Sequence, residues 1–326
     1  MIVKIERYYD FPDLKRQTPK ETFKWKDITF TEEDIEECDF LVILEYPKKD
    51  FSIKVPKNNI IHICQEPPNE ISKYRQFANK NVSYNFNQIK KSNVNQIKSH
   101  GALPWFVNKN YDFLKNIDLN DLCKEDTITW VTSNQKSSFG HKKRMEFFEK
   151  IKDISYLRMY GKGFKYIEDK WDALSVSKYS IAFENFESEI YWTEKITDCF
   201  LSFTMPIYFG CSTISDFFPK DSFIQLDPKD KHLNLFFKEI VESNKYEKNL
   251  DAIIESRNLI LEEYQLFPFI SNQIRAIQSK GGFFNNKEFL FFKGGDAYFN
   301  NTPFSIILEK KFEKTKKRIK KVLQFT

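Results

Sequence analysis

The segment from Tyr179 to Lys195, YSIAFENFESEIYWTEK, combines residue types that can bind a phosphorylated ligand. An apolar run ends at Glu184, and a short polar loop leads to Glu194 and Lys195 at the start of a predicted helix. In α/β proteins, ligands bind where buried strands turn into helices. A helix start offers unpaired N–H groups and a positive dipole end, and Lys195 adds a full positive charge. We therefore predict a phosphate and ribose site here.

Two motifs earlier in the chain contain residues that could contribute to the same phosphate site. Arg144 lies near the start of a helix predicted at about 142–151, and a guanidinium can hold two phosphate oxygens at once. A surface position in a lysine-rich run is the alternative for Arg144. Tyr160 and Gly161 belong to YGKG, a turn after a predicted strand, where glycine lets the backbone approach a ligand closely.

The residues that commonly bind metals show no suitable pattern. The chain contains no Asp-x-Asp motif, its four histidines form no cluster such as HExxH, and its five cysteines lack CxxC spacing. We therefore expect a metal-independent site without a required cofactor. Arginine, lysine and helix termini must then neutralise the phosphate charge.

The ordered motifs resemble the donor-binding region of the family 10 glycosyltransferases, the α-1,3-fucosyltransferases. The resemblance covers roughly residues 126–265, about two fifths of the chain, and residues 1–110 are only faintly similar. It implies a GDP-fucose donor, a glycan acceptor and the two-lobed GT-B fold. The motifs are, in chain order, ITWVTSN, RMEFF with Arg144, YGKG, FEN, YWTEK, MPIYFG and DFFPKDSFIQLD.

The resemblance also implies roles for single residues. Arg144 matches a residue that contacts the diphosphate, and Asn185 and Tyr191 match donor-contacting positions. The YGKG turn, with Tyr160 and Gly161, is expected near the base or the diphosphate.

The YWTEK motif carries several further expectations. Glu194 is expected to accept hydrogen bonds from the ribose hydroxyls, and Lys195 to bind phosphate. Thr193 can cap the helix, and this structural role can be its only one. Glu184 could either order the loop or touch the donor sugar. Trp192 replaces the small aliphatic residue common at this point of the family.

The catalytic base is expected in the amino-terminal part. A predicted strand beginning at Ile60 ends at Glu66, and the two following prolines prevent its continuation. The family has a similar strand followed by Glu-Ser-Pro-Ser, with that glutamate as its proposed base. Glu66 is therefore the predicted general base, with Glu70 as the second choice. A surface turn carboxylate is the alternative interpretation of Glu66.

Alternating apolar runs and helix-like stretches predict an α/β fold. Together with the resemblance, they indicate GT-B architecture, with two Rossmann-like lobes facing across a cleft. We predict an acceptor-binding lobe over 1–115, a donor-binding lobe over 116–300 and a basic tail over 301–326.

The tail from Phe304 to Leu323 reads as a basic amphipathic helix. Such a helix can lie on an anionic membrane surface, or it can pack across the lobes with a solvated basic face. The chain shows no signal peptide and no apolar run long enough to span a membrane. We therefore expect a cytoplasmic protein, peripheral on the inner face of the membrane. A net charge of +5 gives no argument for nucleic acid.

Together these features predict an inverting transferase that moves L-fucose from GDP-fucose to a hydroxyl of a surface glycan. An α-1,3 linkage to N-acetylglucosamine in a lipopolysaccharide O-antigen is the expected kind of product. The alternatives are a GT-B transferase for another nucleotide sugar, an inactive membrane-associated glycan-assembly protein and, least supported, nucleic-acid binding through the tail.

Overall fold

The structure is a computed structural model that describes residues 1–67, 81–87, 95–136, 138–281, 284–295 and 308. The chain divides into two compact units. The first unit comprises residues 1–10, 30–99 and the chain from 282 onwards, and the second unit comprises residues 11–29 and 100–281.

These units are assembled from separate segments, whereas the predicted lobes, 1–115 and 116–300, are continuous. One of the changes between the units lies between Ser99 and His100, whereas the predicted lobes meet at 115 and 116. The assignment of acceptor and donor roles to the lobes stays a prediction.

The first unit is built on parallel strands. In this unit β1, β4, β6, β7 and β8 lie side by side in that order and pair in parallel. The short strands β2 and β3 form an antiparallel hairpin, and β2 belongs to the second unit. The strands are β1 (Ile2–Arg7), β2 (Lys24–Trp25), β3 (Ile28–Thr31), β4 (Phe40–Leu44), β5 (Phe51–Pro56), β6 (Ile60–Ile63), β7 (Tyr84–Asn87) and β8 (Asn95–Lys98).

Strand β4 shows why this sheet forms. All five of its residues, FLVIL, are buried, as expected for a parallel strand covered on both faces. One side packs against β5, which pairs in antiparallel fashion with β14 (Lys287–Phe292). The sequence predicted that the strand beginning at Ile60 would end at Glu66. Strand β6 instead ends at Ile63, so Glu66 lies in the loop after it.

The second unit contains a five-stranded parallel sheet of order β10-β9-β11-β12-β13. The strands are β9 (Glu125–Val131), β10 (Leu157–Tyr160), β11 (Ser177–Ser188), β12 (Met205–Cys211) and β13 (Ile224–Gln225). Parallel strands in both units, with helices between the strands of the second sheet, confirm the predicted α/β class.

Helices of the second unit connect and cover these strands. They are α1 (Tyr111–Asn116), α2 (Phe139–Ile151), α3 (Lys170–Leu174), α4 (Glu194–Leu201), α5 (Leu233–Val241), α6 (Lys245–Lys248), α7 (Leu250–Leu259) and α8 (Leu266–Ser279), with a π-helical turn at Ile260–Tyr264 between α7 and α8. Side-chain caps begin five of them, at Asn110, Ser138, Asp169, Thr193 and Gln265. These caps satisfy N–H groups that the first helical turn leaves unpaired.

Aromatic side chains fill the space between the second sheet and α2. The Phe147 ring lies 5.3 Å from that of Phe183, which lies 4.6 Å from that of Phe209, and Trp130 packs against the first two. The phenylalanine-rich composition is thus used in the core, where such rings bury large apolar areas.

Two sequence predictions lie outside the described residues. The basic tail from Phe304 to Leu323 does so except for Leu308, and so does Glu70. Among the helices that are described, none combines the length and apolar character needed to cross a bilayer.

Truncation of Phe147 tests the aromatic core. Because its side chain is almost fully buried, Phe147→Ala should lower the free energy of unfolding by about 3–5 kcal/mol. Glu146→Ala, at an exposed position of the same helix, should change it by less than about 0.5 kcal/mol. Urea denaturation followed by tryptophan fluorescence measures both variants, and equal effects would contradict the packing interpretation.

Candidate active site

The second unit contains a partly open cavity of about 290 Å³ where β9 and β11 approach the first turn of α4. We call it the α4 cavity. Its lining includes three cationic side chains, Arg144, Lys170 and Lys195, and two carboxylates, Glu194 and Asp198. The remaining lining comes from Phe106, Trp130, Val131, Thr132, Ser133, Leu174, Ser180, Ile181, Phe183 and Cys199.

The start of α4 is held by the buried carboxylate of Glu184. This side chain accepts hydrogen bonds from the Thr193 backbone N–H at 2.8 Å and from the Thr193 hydroxyl at 2.8 Å. Thr193 in turn caps the helix by accepting from the Lys195 N–H. Of the two roles left open for Glu184, its contacts support ordering of the loop, and Glu184 does not line the α4 cavity.

Glu184 also explains the glycine that ends MPIYFG. A Cβ atom built on Gly210 would lie 2.4 Å from Cγ of Glu184, closer than atoms can approach. The motifs FEN and MPIYFG are therefore coupled, because the Cβ and Cγ atoms of the glutamate that orders α4 pack against Gly210.

Lys195 is surrounded by protein oxygens. Its Nζ lies 3.3 Å from Glu184 Oε2, 3.3 Å from Glu194 Oε1 and 2.9 Å from the Thr193 hydroxyl. Burial alone would lower the pKa of Lys195, but the two carboxylates outweigh it and raise the pKa. The anion that a cation at a helix start requires is thus partly supplied by the protein itself.

Glu194 is an acceptor in the wall of the cavity. Burial opposes its ionisation, but Lys195 and Lys170, whose Nζ is 3.9 Å away, lower the pKa of Glu194 to about 2. Its carboxylate is therefore ionised at neutral pH and can accept hydrogen bonds from hydroxyl groups.

Arg144 differs from the other cations. Its side chain is 5% exposed and donates to Asn185 Oδ1 at 2.9 Å and to the carbonyl of Ser133 at 3.0 Å. Its Nε is buried and has no hydrogen-bond partner among the described residues. Burial lowers the pKa of Arg144, and no carboxylate among the described residues pairs with it. A buried guanidinium held by neutral oxygens retains the capacity to bind an anion.

Other predicted donor-binding residues support the cavity wall. Asn185 orients Arg144, and Gly161, with φ of 110°, packs so closely on Thr132 that a Cβ would lie 2.1 Å from its carbonyl oxygen. Tyr160 accepts a backbone hydrogen bond from Thr132 at 2.8 Å. The YGKG turn thus shapes the carboxyl end of β9. Asn185, Tyr160 and Gly161 do not line the cavity themselves.

Tyr191 and Trp192 pack into the protein and are also absent from the cavity lining. Tyr191 is buried with its ring edge-on to Phe186 at 6.2 Å. Trp192 stacks on His100 at 4.6 Å, within a group of aromatic rings that includes Tyr264. Burial lowers the pKa of His100 to about 3, so the ring is neutral. Trp192 is thus a core residue of this unit.

Sequence reasoning missed two charged residues of the cavity, Lys170 and Asp198. Asp198 accepts from Lys170 Nζ at 2.9 Å and from the Phe106 backbone N–H at 2.9 Å. One signal was available, because Glu194 and Asp198 are spaced i, i+4 and lie on the same face of α4. Lys170, the first residue of α3, gave no signal of its own.

The predicted base, Glu66, lies in the first unit just after β6. Its side chain is partly exposed and its Oε1 accepts from the Tyr8 hydroxyl at 3.3 Å. Its backbone N–H donates to Glu45 Oε1 at 2.6 Å. Within the part of the chain that is described, no group of three or more potential metal ligands occurs.

Comparison with known proteins supports the family resemblance over part of the chain. Residues 122–249 match the family model described as glycosyltransferase family 10 (fucosyltransferase) C-term. This match confirms the resemblance predicted from the ordered motifs.

Curated relatives agree with this match over limited parts of their length. The human 4-galactosyl-N-acetylglucosaminide 3-alpha-L-fucosyltransferase 9 is 29% identical over 129 residues, covering 37% of this chain and 35% of the relative. The alpha-(1,3)-fucosyltransferase FucT of Helicobacter pylori is 26% identical over 199 residues, covering 57% and 37%. The chain therefore spans about a third of the length of these curated relatives.

Among solved structures, a crystal structure of an alpha1,3-fucosyltransferase with GDP is 16% identical, with a TM-score of 0.46. The match covers 82% of this chain and 91% of that protein.

Gly210→Ala tests the link between β12 and α4. The added methyl group must displace Glu184, so we expect a loss of about 1–3 kcal/mol in the free energy of unfolding. Gly295→Ala is the matched control, since the nearest atom to its new Cβ lies at 3.4 Å, an ordinary contact distance. Thermal denaturation compares the two variants, and an unchanged midpoint for Gly210→Ala would contradict the close packing.

Proposed function

We propose that this chain is an inverting glycosyltransferase that uses GDP-fucose as its donor and a glycan hydroxyl as its acceptor. The observation that supports the proposal most directly is Arg144, a buried guanidinium that lines the α4 cavity without a carboxylate partner among the described residues. The family 10 match over residues 122–249 supports the same assignment, because it contains this cavity's α2, β11 and α4.

In this proposal the donor diphosphate occupies the α4 cavity. Arg144, whose Nε has no partner in the described part of the chain, and Lys195 hold the phosphate oxygens, and the N–H groups at the start of α4 add a positive dipole end. Glu194, held ionised by Lys195 and Lys170, accepts hydrogen bonds from the ribose hydroxyls. Lys170 contributes a third cation close to the leaving group.

The remaining predicted donor residues act through these groups. Asn185 and the YGKG turn with Tyr160 and Gly161 orient the cavity wall. Glu184 and Thr193 order the first turn of α4, and Tyr191 packs the loop that precedes it.

The proposed reaction is a single displacement. Glu66 takes the proton from an acceptor hydroxyl, and the oxygen forms a bond to the anomeric carbon of fucose as the bond to the diphosphate breaks. The attack comes from the face opposite GDP, so the configuration is inverted. The departing GDP takes the bonding electron pair, and the cations of the α4 cavity stabilise its charge.

An N-acetylglucosamine unit is the proposed acceptor, linked α-1,3 and carried by a surface glycan such as a lipopolysaccharide O-antigen. The mammalian relatives act, by name, on 4-galactosyl-N-acetylglucosaminide, which supports this acceptor class. The proposals of a cytoplasmic location and of membrane contact through the tail continue to rest on the sequence alone.

Arg144→Ala tests the proposed diphosphate site. Loss of a charge-assisted hydrogen bond worth about 1.5–3 kcal/mol should weaken GDP binding by roughly ten- to a hundredfold. Lys142→Ala, an exposed basic position on the same helix, is the control and should leave the affinity unchanged. Isothermal titration calorimetry with GDP measures both, and unchanged affinity in Arg144→Ala would refute the site.

The same calorimetric assay, extended to GDP-fucose, GDP-mannose and UDP-sugars, tests the donor. Preference for a UDP-sugar would favour a transferase of another specificity.

Glu66→Gln tests the proposed base. Glutamine cannot take up the proton, so we expect nearly complete loss of transfer from GDP-fucose, with GDP affinity nearly intact. The assay measures fucose transfer to 4-galactosyl-N-acetylglucosamine and to the glycans of an array. Equal loss of transfer and of GDP binding would contradict a purely catalytic role for Glu66.

A further inference from the structure

Three neighbouring strands of the first sheet end in a cluster of polar residues. Tyr8 directly follows β1, Glu45 directly follows β4, and Glu66 lies just beyond β6. Because these strands are parallel and adjacent in the order β1-β4-β6, their carboxyl ends meet at one edge of the sheet. This is the edge at which α/β sheets bind ligands.

Glu45 has an unusual backbone for its residue type. Its φ angle is 61°, in the left-handed region that residues other than glycine rarely adopt. Its N–H donates to the carbonyl of Ile63 at 3.0 Å, and its carbonyl oxygen lies 2.7 Å from Nε2 of the buried His62. The chain is thus turned and fixed directly after β4, a combination that often marks a functional position.

The turn at Glu45 brings its carboxylate under the segment that contains Glu66. The residue is 2% exposed, and its Oε1 accepts hydrogen bonds from two consecutive backbone N–H groups, those of Gln65 and, at 2.6 Å, Glu66. Hydrogen bonds to a carboxylate are stronger than those between neutral groups. One buried acceptor oxygen therefore sets the backbone position of the residue that we propose as the base.

Glu66 is also held through its side chain. Tyr8 donates its hydroxyl proton to Glu66 Oε1 at 3.3 Å, and the Tyr8 ring stacks on Tyr46 at 4.4 Å. Burial, with the carboxylates of Glu66 and Glu45, raises the pKa of Tyr8, so its hydroxyl keeps the proton that it donates. Backbone and carboxylate of Glu66 are thus fixed by different strands.

We propose that Glu45 is a positioning residue for catalysis, which holds Glu66 in the geometry that proton transfer requires while touching no substrate itself. This inference rests on the proposed function, because it takes Glu66 as the general base. A base displaced by even a small distance from its reactive geometry loses much of its effect, whereas donor binding in the second unit does not depend on it.

Glu45→Gly is the most informative variant. Glycine accepts a φ of 61° without strain, so this change removes the carboxylate and preserves the turn. We expect kcat for transfer from GDP-fucose to fall about 100-fold. KM for GDP-fucose and the dissociation constant of GDP should stay within about threefold of wild type. The acceptors used are 4-galactosyl-N-acetylglucosamine and water, the latter measured as GDP-fucose hydrolysis.

Two further variants separate positioning from other effects. Glu45→Gln keeps an oxygen that can accept both N–H groups, so its kcat should recover to within about tenfold of wild type. Glu45→Asp keeps the carboxylate, but its side chain is one methylene group shorter, so the oxygen no longer reaches the N–H groups of Gln65 and Glu66. Its kcat should fall well below that of Glu45→Gln. If Glu45→Gly fails to fold, as judged by GDP binding and thermal denaturation, this Gln and Asp pair still decides the question.

Glu32→Ala is the matched control. Glu32 is another carboxylate of the first unit, paired with Arg7 at the end of β1, and it makes no contact with Glu66 among the described hydrogen bonds and ion pairs. Its kcat should equal that of wild type.

The possible outcomes are distinct. If Glu66→Gln is inactive but Glu45→Gly keeps wild-type kcat, the positioning role is wrong and the proposed function stands. If Glu45→Gln loses as much as Glu45→Gly, charge rather than acceptor geometry is responsible, and the positioning role is also wrong. If Glu66→Gln keeps full activity, Glu66 is not the base and the inference fails, while the transferase function stands. If wild type neither transfers fucose nor hydrolyses GDP-fucose, the proposed function itself fails, and the inference fails with it.

Discussion

The buried carboxylate of Glu184 is the interaction on which the α4 cavity depends. It accepts hydrogen bonds from the backbone N–H and the hydroxyl of Thr193 and lies within ion-pair distance of Lys195. The Cβ and Cγ atoms of the same side chain pack against Gly210. One charge therefore joins β11, the start of α4 and the end of β12. A charge removed from water is stable only when it is paired and hydrogen-bonded, so each partner constrains the others.

The cavity is organised by the same constraint. Asp198 with Lys170, and Glu194 with Lys195, place opposite charges next to each other along one wall. Their pairing holds the side chains in place before any ligand arrives, which reduces the reorganisation that binding requires. Arg144 stands apart, because neutral oxygens rather than a carboxylate hold it in the described structure. The side chains of the cavity are thus positioned in advance, and Arg144 is the cation among them that no described carboxylate neutralises.

The sequence predicted the parts of this arrangement that depend on local order. Apolar runs, turns and helix starts follow from neighbouring residues, so Arg144 and Lys195 could be expected near one strand edge. Lys170 and Asp198 could not, because their pairing is set by how α3 packs on α4. Trp192 was equally unpredictable, since its environment is formed by His100 and other rings distant in the chain. The segmented units escaped prediction for the same reason, because long-range contacts define them.

The guanidinium of Arg144 can affect how much of the protein accumulates in a cell. The buried Nε of Arg144 has no acceptor among the residues that the structure describes, and such a donor destabilises the ligand-free fold. Any anion that takes up this donor stabilises the folded state by mass action. The fraction of unfolded chains available to proteases then falls as the ligand concentration rises. The metabolic supply of the ligand would thus govern how much of the protein accumulates, in addition to how fast it works.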